Sequence, residues 1–92
     1  MELEFDPAKR LWTLLERGLD FARAGEVFTG LHLTQMDARR DYREARFITV
    51  GQLDLRVVVL VWARRPSGVR VISLRKANER EKALFASRIS GC

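Results

Sequence analysis

Every side chain from Val57 to Ala63 is apolar, and Arg56, Arg64 and Arg65 bracket the run. A stretch this short cannot cross a bilayer, which takes about 20 residues as a helix. Apolar on both faces, it reads as a central strand over 55–64, covered on two sides for much of its length. The neighbouring segments must then supply the rest of a sheet and the helices that shield it. The chain has 92 residues and is 47% apolar, which is ordinary for one globular domain and against a disordered tail. Residues 1–92 are therefore expected to form a single domain of modest stability.

Turn and cap residues divide the remainder. Residues 3–5 are a short strand. Asp6 is placed as an N-cap with Pro7 at the first helical position, and Gly18 stops the helix. Ala8, Leu11, Trp12 and Leu15 make its apolar stripe, while Lys9, Arg10, Thr13, Glu16 and Arg17 lie opposite. A second helix opens at Asp20, with Phe21, Ala24, Gly25 and Phe28 at i, i+3, i+4 and i+7, and Thr29-Gly30 closes it. From residue 31 the period is two. Strands are predicted over 31–36, 46–53, 55–64 and 69–74, with a charged loop over 37–44. Turn chemistry lies at 51–54 and at Pro66-Ser67-Gly68. Asn78 with Glu81 forms a capping box for a last helix whose apolar side is Leu84, Phe85 and Ile89. The expected class is α+β, a compact antiparallel sheet flanked by helices in the order β-α-α-β-β-β-β-α.

The chemistry begins from charge. Seventeen Lys and Arg against twelve Asp and Glu give +5, which favours an acidic partner such as nucleic acid or an acidic protein. No helix is basic on one side and broadly apolar on the other, so a membrane surface is not expected as a partner. Cys92, the one cysteine, precludes an internal disulfide, and Met1-Glu2-Leu3-Glu4 has acidic residues where a secretory leader needs positive ones. Both point to the cytoplasm. With one histidine, His32, no cluster has zinc-ligand spacing, and no glycine-rich phosphate loop follows a strand. No cofactor is expected. His32, at a strand start, reads as structural or surface, and Trp62 as core.

Arginine and lysine remain. The segment 70–81 runs from a β-branched strand straight into the capped helix. Alternation places Val71, Ser73 and Arg75 on one face, with Ile72 and Leu74 on the other. Guanidinium and hydroxyl donors on a rigid sheet suit a phosphate ester. Lys9 and Arg17 stand eight apart on the first helix, about 12 Å along its axis. Arg46 opens one strand, Arg64 and Arg65 end another, and Arg75 ends the last. If these strands are neighbours, the cations converge on one electropositive pocket.

Four segments together resemble the BrnT toxins, ribonucleases of the RelE/ParE superfamily in bacterial type II toxin–antitoxin modules. They are Phe5-Asp6-Pro7-Ala8-Lys9, Gly18-Leu19-Asp20-Phe21, Asp41-Tyr42-Arg43-Glu44-Ala45-Arg46-Phe47-Ile48, and Arg70-Val71-Ile72-Ser73-Leu74-Arg75-Lys76-Ala77 followed by Glu81. The resemblance spans residues 5–81 and implies a RelE/ParE-like fold, metal-independent cleavage of RNA, arrest of translation and growth, and neutralisation by a BrnA-type antitoxin. It leaves open whether the ribosome is required. Many members carry Lys-His-Gly at the end of the first helix, where this chain has Glu16-Arg17-Gly18. Histidine exchanges a proton near neutrality, whereas arginine does not.

RNA brings its own nucleophile, the 2′-hydroxyl, so a protein must align it with phosphorus and stabilise the developing charge. On that basis Arg75 and Arg65 are assigned to the phosphate oxygens, Lys9 and Arg17 to positioning the strand, and Arg46 to support. Glu81 is the nearest proton acceptor by sequence, and Arg64, Arg70, Ser73 and Lys76 are candidate RNA contacts. Two alternatives stand beside this one: a non-catalytic nucleic-acid-binding module, and a degenerate toxin of the same fold.

Overall fold

Local capping sets the boundaries seen in the computed structural model, which describes residues 2–38 and 43–90. Arg39, Arg40, Asp41 and Tyr42 of the charged loop, Met1, and Cys92 fall outside the described residues. The Asp6 carboxylate accepts the Ala8 amide, Pro7 begins α1 (Pro7–Arg17), and Gly18 closes it in the left-handed conformation at φ 69°. Asn78 and Glu81 form the expected reciprocal box at the start of α2 (Glu79–Ile89).

Five strands, β1 (Glu2–Glu4), β2 (Leu33–Met36), β3 (Arg46–Leu53), β4 (Arg56–Arg65) and β5 (Gly68–Lys76), make one sheet in the order β1-β5-β4-β3-β2. The class is α+β, as expected. The sheet, however, is mixed and open. β1 pairs parallel to β5 over three residues, because the chain must pass through α1 and the following helical turns before returning. The other neighbours are antiparallel hairpin partners. β4 sits in the middle, and Val58, Leu60 and Trp62 line the principal core.

The element order differs from the sequence-based one at the second helix. Residues Phe21–Phe28 form a 3-10 helix, not an α-helix, and its buried residues are Phe21, Ala24 and Val27. That spacing is three throughout. In a 3-10 helix positions i and i+3 eclipse, so these side chains stack in one column against the sheet. Gly25 and Phe28, expected on an α-helical stripe, are only half-buried.

α1 corrects the sequence-based orientation more sharply. Its apolar stripe faces outward: Leu11, Trp12 and Leu15 are 57%, 53% and 73% exposed, and Ala8 is exposed as well. The face turned inward carries Arg10, Thr13 and Arg17. Polar anchors explain this roll. Arg10 forks onto Asp20 at 2.8 and 3.1 Å, Thr13 is buried, and the Arg17 guanidinium donates to the Leu74 carbonyl at 3.0 Å. Satisfying those groups outweighs burying a stripe that is apolar but lacks polar partners.

Two register details bear on the functional face. Between β4 and β5 the register shifts at Val61/Trp62, so that Val61 opposes Ser73 while Trp62 opposes Val71, leaving Ile72 as the extra residue of a β-bulge. Val71 therefore joins Leu74 on the core side, and only Ser73 and Arg75 of the expected trio share the other face. At the β3–β4 hairpin, the turn is at Asp54 and Leu55, with φ 52° and 65°, and β4 starts at Arg56. Both positions take the left-handed conformation of a two-residue turn, which suits Asp-Gly far better than Asp-Leu. Leu55 is 94% exposed and loses no packing if changed. Leu55→Gly should raise stability by about 1 kcal/mol, read as a thermal midpoint several degrees higher.

Candidate functional site: a groove and a row of arginines on one sheet face

Directly paired antiparallel residues share a face, so the register assigns every strand residue to one side. The side opposite the core helical turns carries Leu33 and Gln35 of β2, Ile48 and Val50 of β3, Val59 and Val61 of β4, and Ser73 and Arg75 of β5. α2 crosses above it, contributing Glu81, Leu84 and Phe85. Together these residues line a cavity of about 300 Å³. Its floor is apolar, with Ser73, Arg75 and Glu81 supplying polar groups on the β5 side and Gln35 one on β2, which is the usual composition of a ligand site.

Arg75 is held at the rim. Its two terminal nitrogens donate to the two Glu81 oxygens, each at 2.7 Å. Glu81 also accepts the Asn78 amide at 2.9 Å as part of the capping box. The Arg75 hydrogen bonds, reinforced by the Asn78 amide and the Arg75 charge, pull the Glu81 carboxyl down to about 2. The unfolded carboxyl titrates near 4.5, so this contact stabilises the fold fully above that pH and is lost as pH falls towards 2. Arg75 is partly solvated, so the contribution is set at about 1 kcal/mol. Denaturant titrations across that window should show a steeper acid loss in wild type than in Glu81→Gln.

A second group of cations lies farther along the same face. Arg46 and Arg70 flank Ala63 from the two sides, and Arg65 follows two residues on, opposite Gly68. Glu44 accepts from Arg65 at 2.6 Å, and Glu4 accepts from Arg70 at 2.9 Å. Glu44 is held below the usual carboxylate range by its Arg65 hydrogen bond and by the charges of Arg65, Arg46 and Arg70. Ala63 lies four residues along β4 from Val59, the partner of Arg75, which is about 13 Å.

The one pocket expected from the sequence is therefore two stations on one face. Arg75, Ser73 and Glu81 meet at the groove; Arg46, Arg65 and Arg70 meet at the other end. Arg17 joins the first station from the side, since it bonds the carbonyl of Leu74, the residue before Arg75. Lys9 is exposed on α1, two turns from Arg17, with no bond or ion pair to the other candidates among the described residues. Arg64 falls on the opposite face, over the Phe47 ring at 5.4 Å, because it alternates with core Trp62. Lys76 pairs with Val58 and likewise leaves the groove side. Trp62 is core, stacked on Phe47 with ring centroids 4.8 Å apart. His32 is exposed and bonds the Gly30 carbonyl. The sequence alone does not mark Gln35, Glu44 and Phe85 as site residues. Gln35 alternates with Leu33, so its face is legible, whereas nothing near Glu44 in sequence announces Arg65.

Among the described residues no three His, Cys, Asp or Glu side chains are grouped to hold a metal ion, and no helix is long and apolar enough to cross a membrane. No curated protein matches the chain. Residues 5–81 match the family model described as a ribonuclease toxin, BrnT, of a type II toxin–antitoxin system.

Proposed function

This chain belongs to the BrnT family of ribonuclease toxins, and we propose that it is a metal-independent endoribonuclease that inhibits translation in the cytoplasm, on a RelE/ParE-like fold, until a BrnA-type antitoxin neutralises it. One observation carries the proposal: an apolar groove with Ser73 and Arg75 on its rim continues, on the same face, into the row Arg46, Arg70 and Arg65. Single-stranded RNA is recognised by unstacked bases held against protein while cations follow its backbone. The groove takes a base, and the row takes the phosphates beyond it.

The 2′-oxygen attacks the adjacent phosphorus and the bond to the 5′-oxygen breaks, leaving a 2′,3′-cyclic phosphate and a 5′-hydroxyl. The 2′-hydroxyl proton leaves and the departing oxygen gains one. Arg75 is assigned to the phosphate oxygens with Ser73 as a second donor, and Arg17 offsets the charge from the strand edge. Lys9, Arg46, Arg65 and Arg70 hold the RNA. A carboxyl at about 2 is a feeble base, so Glu81 is given the task of orienting the Arg75 fork.

The binding-only alternative draws on the chain's basic charge alone, and the degenerate-toxin alternative on Arg17 standing where many members have histidine. One experiment separates all three. The chain is induced in a host lacking the antitoxin, RNA 5′ ends are mapped, and the purified protein is assayed with EDTA present. New 5′-hydroxyl ends that persist in EDTA are expected. Growth loss without new ends would make the chain a binding module, and no effect would make it degenerate. Cleavage abolished by EDTA would overturn metal independence.

A further inference from the structure

The outward stripe of α1 is left uncovered by every described element. Ala8, Leu11, Trp12 and Leu15 recur at i, i+3, i+4 and i+7, span about 10 Å, and place three large apolar side chains in water. The helix cannot roll to bury them, because Arg10 is forked onto Asp20 and Arg17 is tied to the Leu74 carbonyl. A contiguous apolar patch rimmed by charge marks an interaction site, and a stripe one helix wide fits one amphipathic helix.

Charge identifies the occupant. The Arg17 guanidinium lies 5.0 Å from the centre of the Trp12 ring, so the stripe ends on a cation. Lys9 stands beside the other end, and the whole chain carries +5. An acidic partner is favoured over a second copy of this basic chain. Membership in a toxin–antitoxin family supplies one dedicated partner, the antitoxin. We propose that an amphipathic helix of the antitoxin docks on Ala8, Leu11, Trp12 and Leu15 and seats a carboxylate on Arg17. Because Arg17 also bonds the residue before Arg75, that carboxylate takes the place of an RNA phosphate at the first station. Docking and inhibition are then one event. The inference rests on family membership and adds the apolar stripe, a surface that meets the catalytic proposal only at Lys9 and Arg17.

The test measures binding of the full chain to the antitoxin of its own module. Leu11→Glu/Leu15→Glu is compared with wild type and with Leu55→Glu, which changes an even more exposed leucine, on the β3–β4 turn and not on α1. Both variants should keep the wild-type circular dichroism and any RNA cleavage. The double variant should bind about 100-fold more weakly and escape neutralisation, while Leu55→Glu binds as wild type does. Arg17→Gln should flatten the salt dependence of binding. An affinity within threefold of wild type for the double variant would overturn the inference. So would a free dimer that the double substitution splits without changing antitoxin affinity, since the stripe would then serve a second copy. Tight antitoxin binding by a wild type that cleaves no RNA would end the catalytic proposal alone and leave the docking surface standing.

Discussion

Arg75→Ala should lower RNA cleavage by two to three decades while leaving the fold in place. Preorganised donors aimed at developing charge are often the largest catalytic contribution, and removing one costs about 2.7–4 kcal/mol. Arg75 suits that part because its planar fork is already oriented by Glu81, with both terminal nitrogens bonded at 2.7 Å. Its side chain is at the groove rim, so truncation opens no hole in the core. Glu81 keeps the Asn78 amide and still caps α2, which limits the loss of stability to about 1 kcal/mol. Arg75→Lys should recover only part of the rate, since an ammonium presents a point charge where a planar fork is required. Single-turnover cleavage beside thermal melts separates the two effects. Wild-type cleavage by a folded Arg75→Ala protein would remove Arg75 from the reaction.

Thr49→Val should destabilise the protein by about 2 kcal/mol, read as a fall of roughly 10 °C in the thermal midpoint. Thr49 is fully buried. Its hydroxyl accepts the Trp62 indole N–H at 2.8 Å and bonds the Thr34 hydroxyl at 2.7 Å. Valine keeps the shape and removes only the oxygen, which strands the indole N–H in the core. Thr49→Ser keeps the oxygen and should cost less. Equal losses in the two variants would show that the missing methyl, and not the hydrogen bond, sets the effect.

Local rules were legible where the physics is local. Asp6 with Pro7, Gly18, and Asn78 with Glu81 act through neighbouring backbone groups, so helix ends could be read from the residues themselves. Strand periodicity located β3 through β5 to within a residue or two. What stayed hidden depends on distant partners. The roll of α1 is decided by Asp20 and by the carbonyl of Leu74, which no helical wheel contains. The bulge at Ile72 inserts one residue, and plain alternation then misassigns Val71. Phe21, Ala24 and Val27 are three apart, yet that spacing fits an α-helix nearly as well until the sheet beneath selects the tighter coil. For the candidate site, Ser73, Arg75 and Glu81 could be grouped because they lie close in the chain. Arg64 and Arg65 are adjacent, so alternation alone sends them to opposite faces, and only Arg65 shares the face of Arg75.

β1 covers β5 only at Gly68, Val69 and Arg70, and beyond that point the outer border of β5 has no neighbouring strand among the described residues. A bare border of this kind recruits strands from other molecules, and charged side chains are the common guard against it. Arg17 performs that duty by occupying the Leu74 carbonyl. Replacing it with a small residue would therefore do more than weaken the proposed phosphate contact: it would unmask a templating surface and turn the protein towards self-assembly.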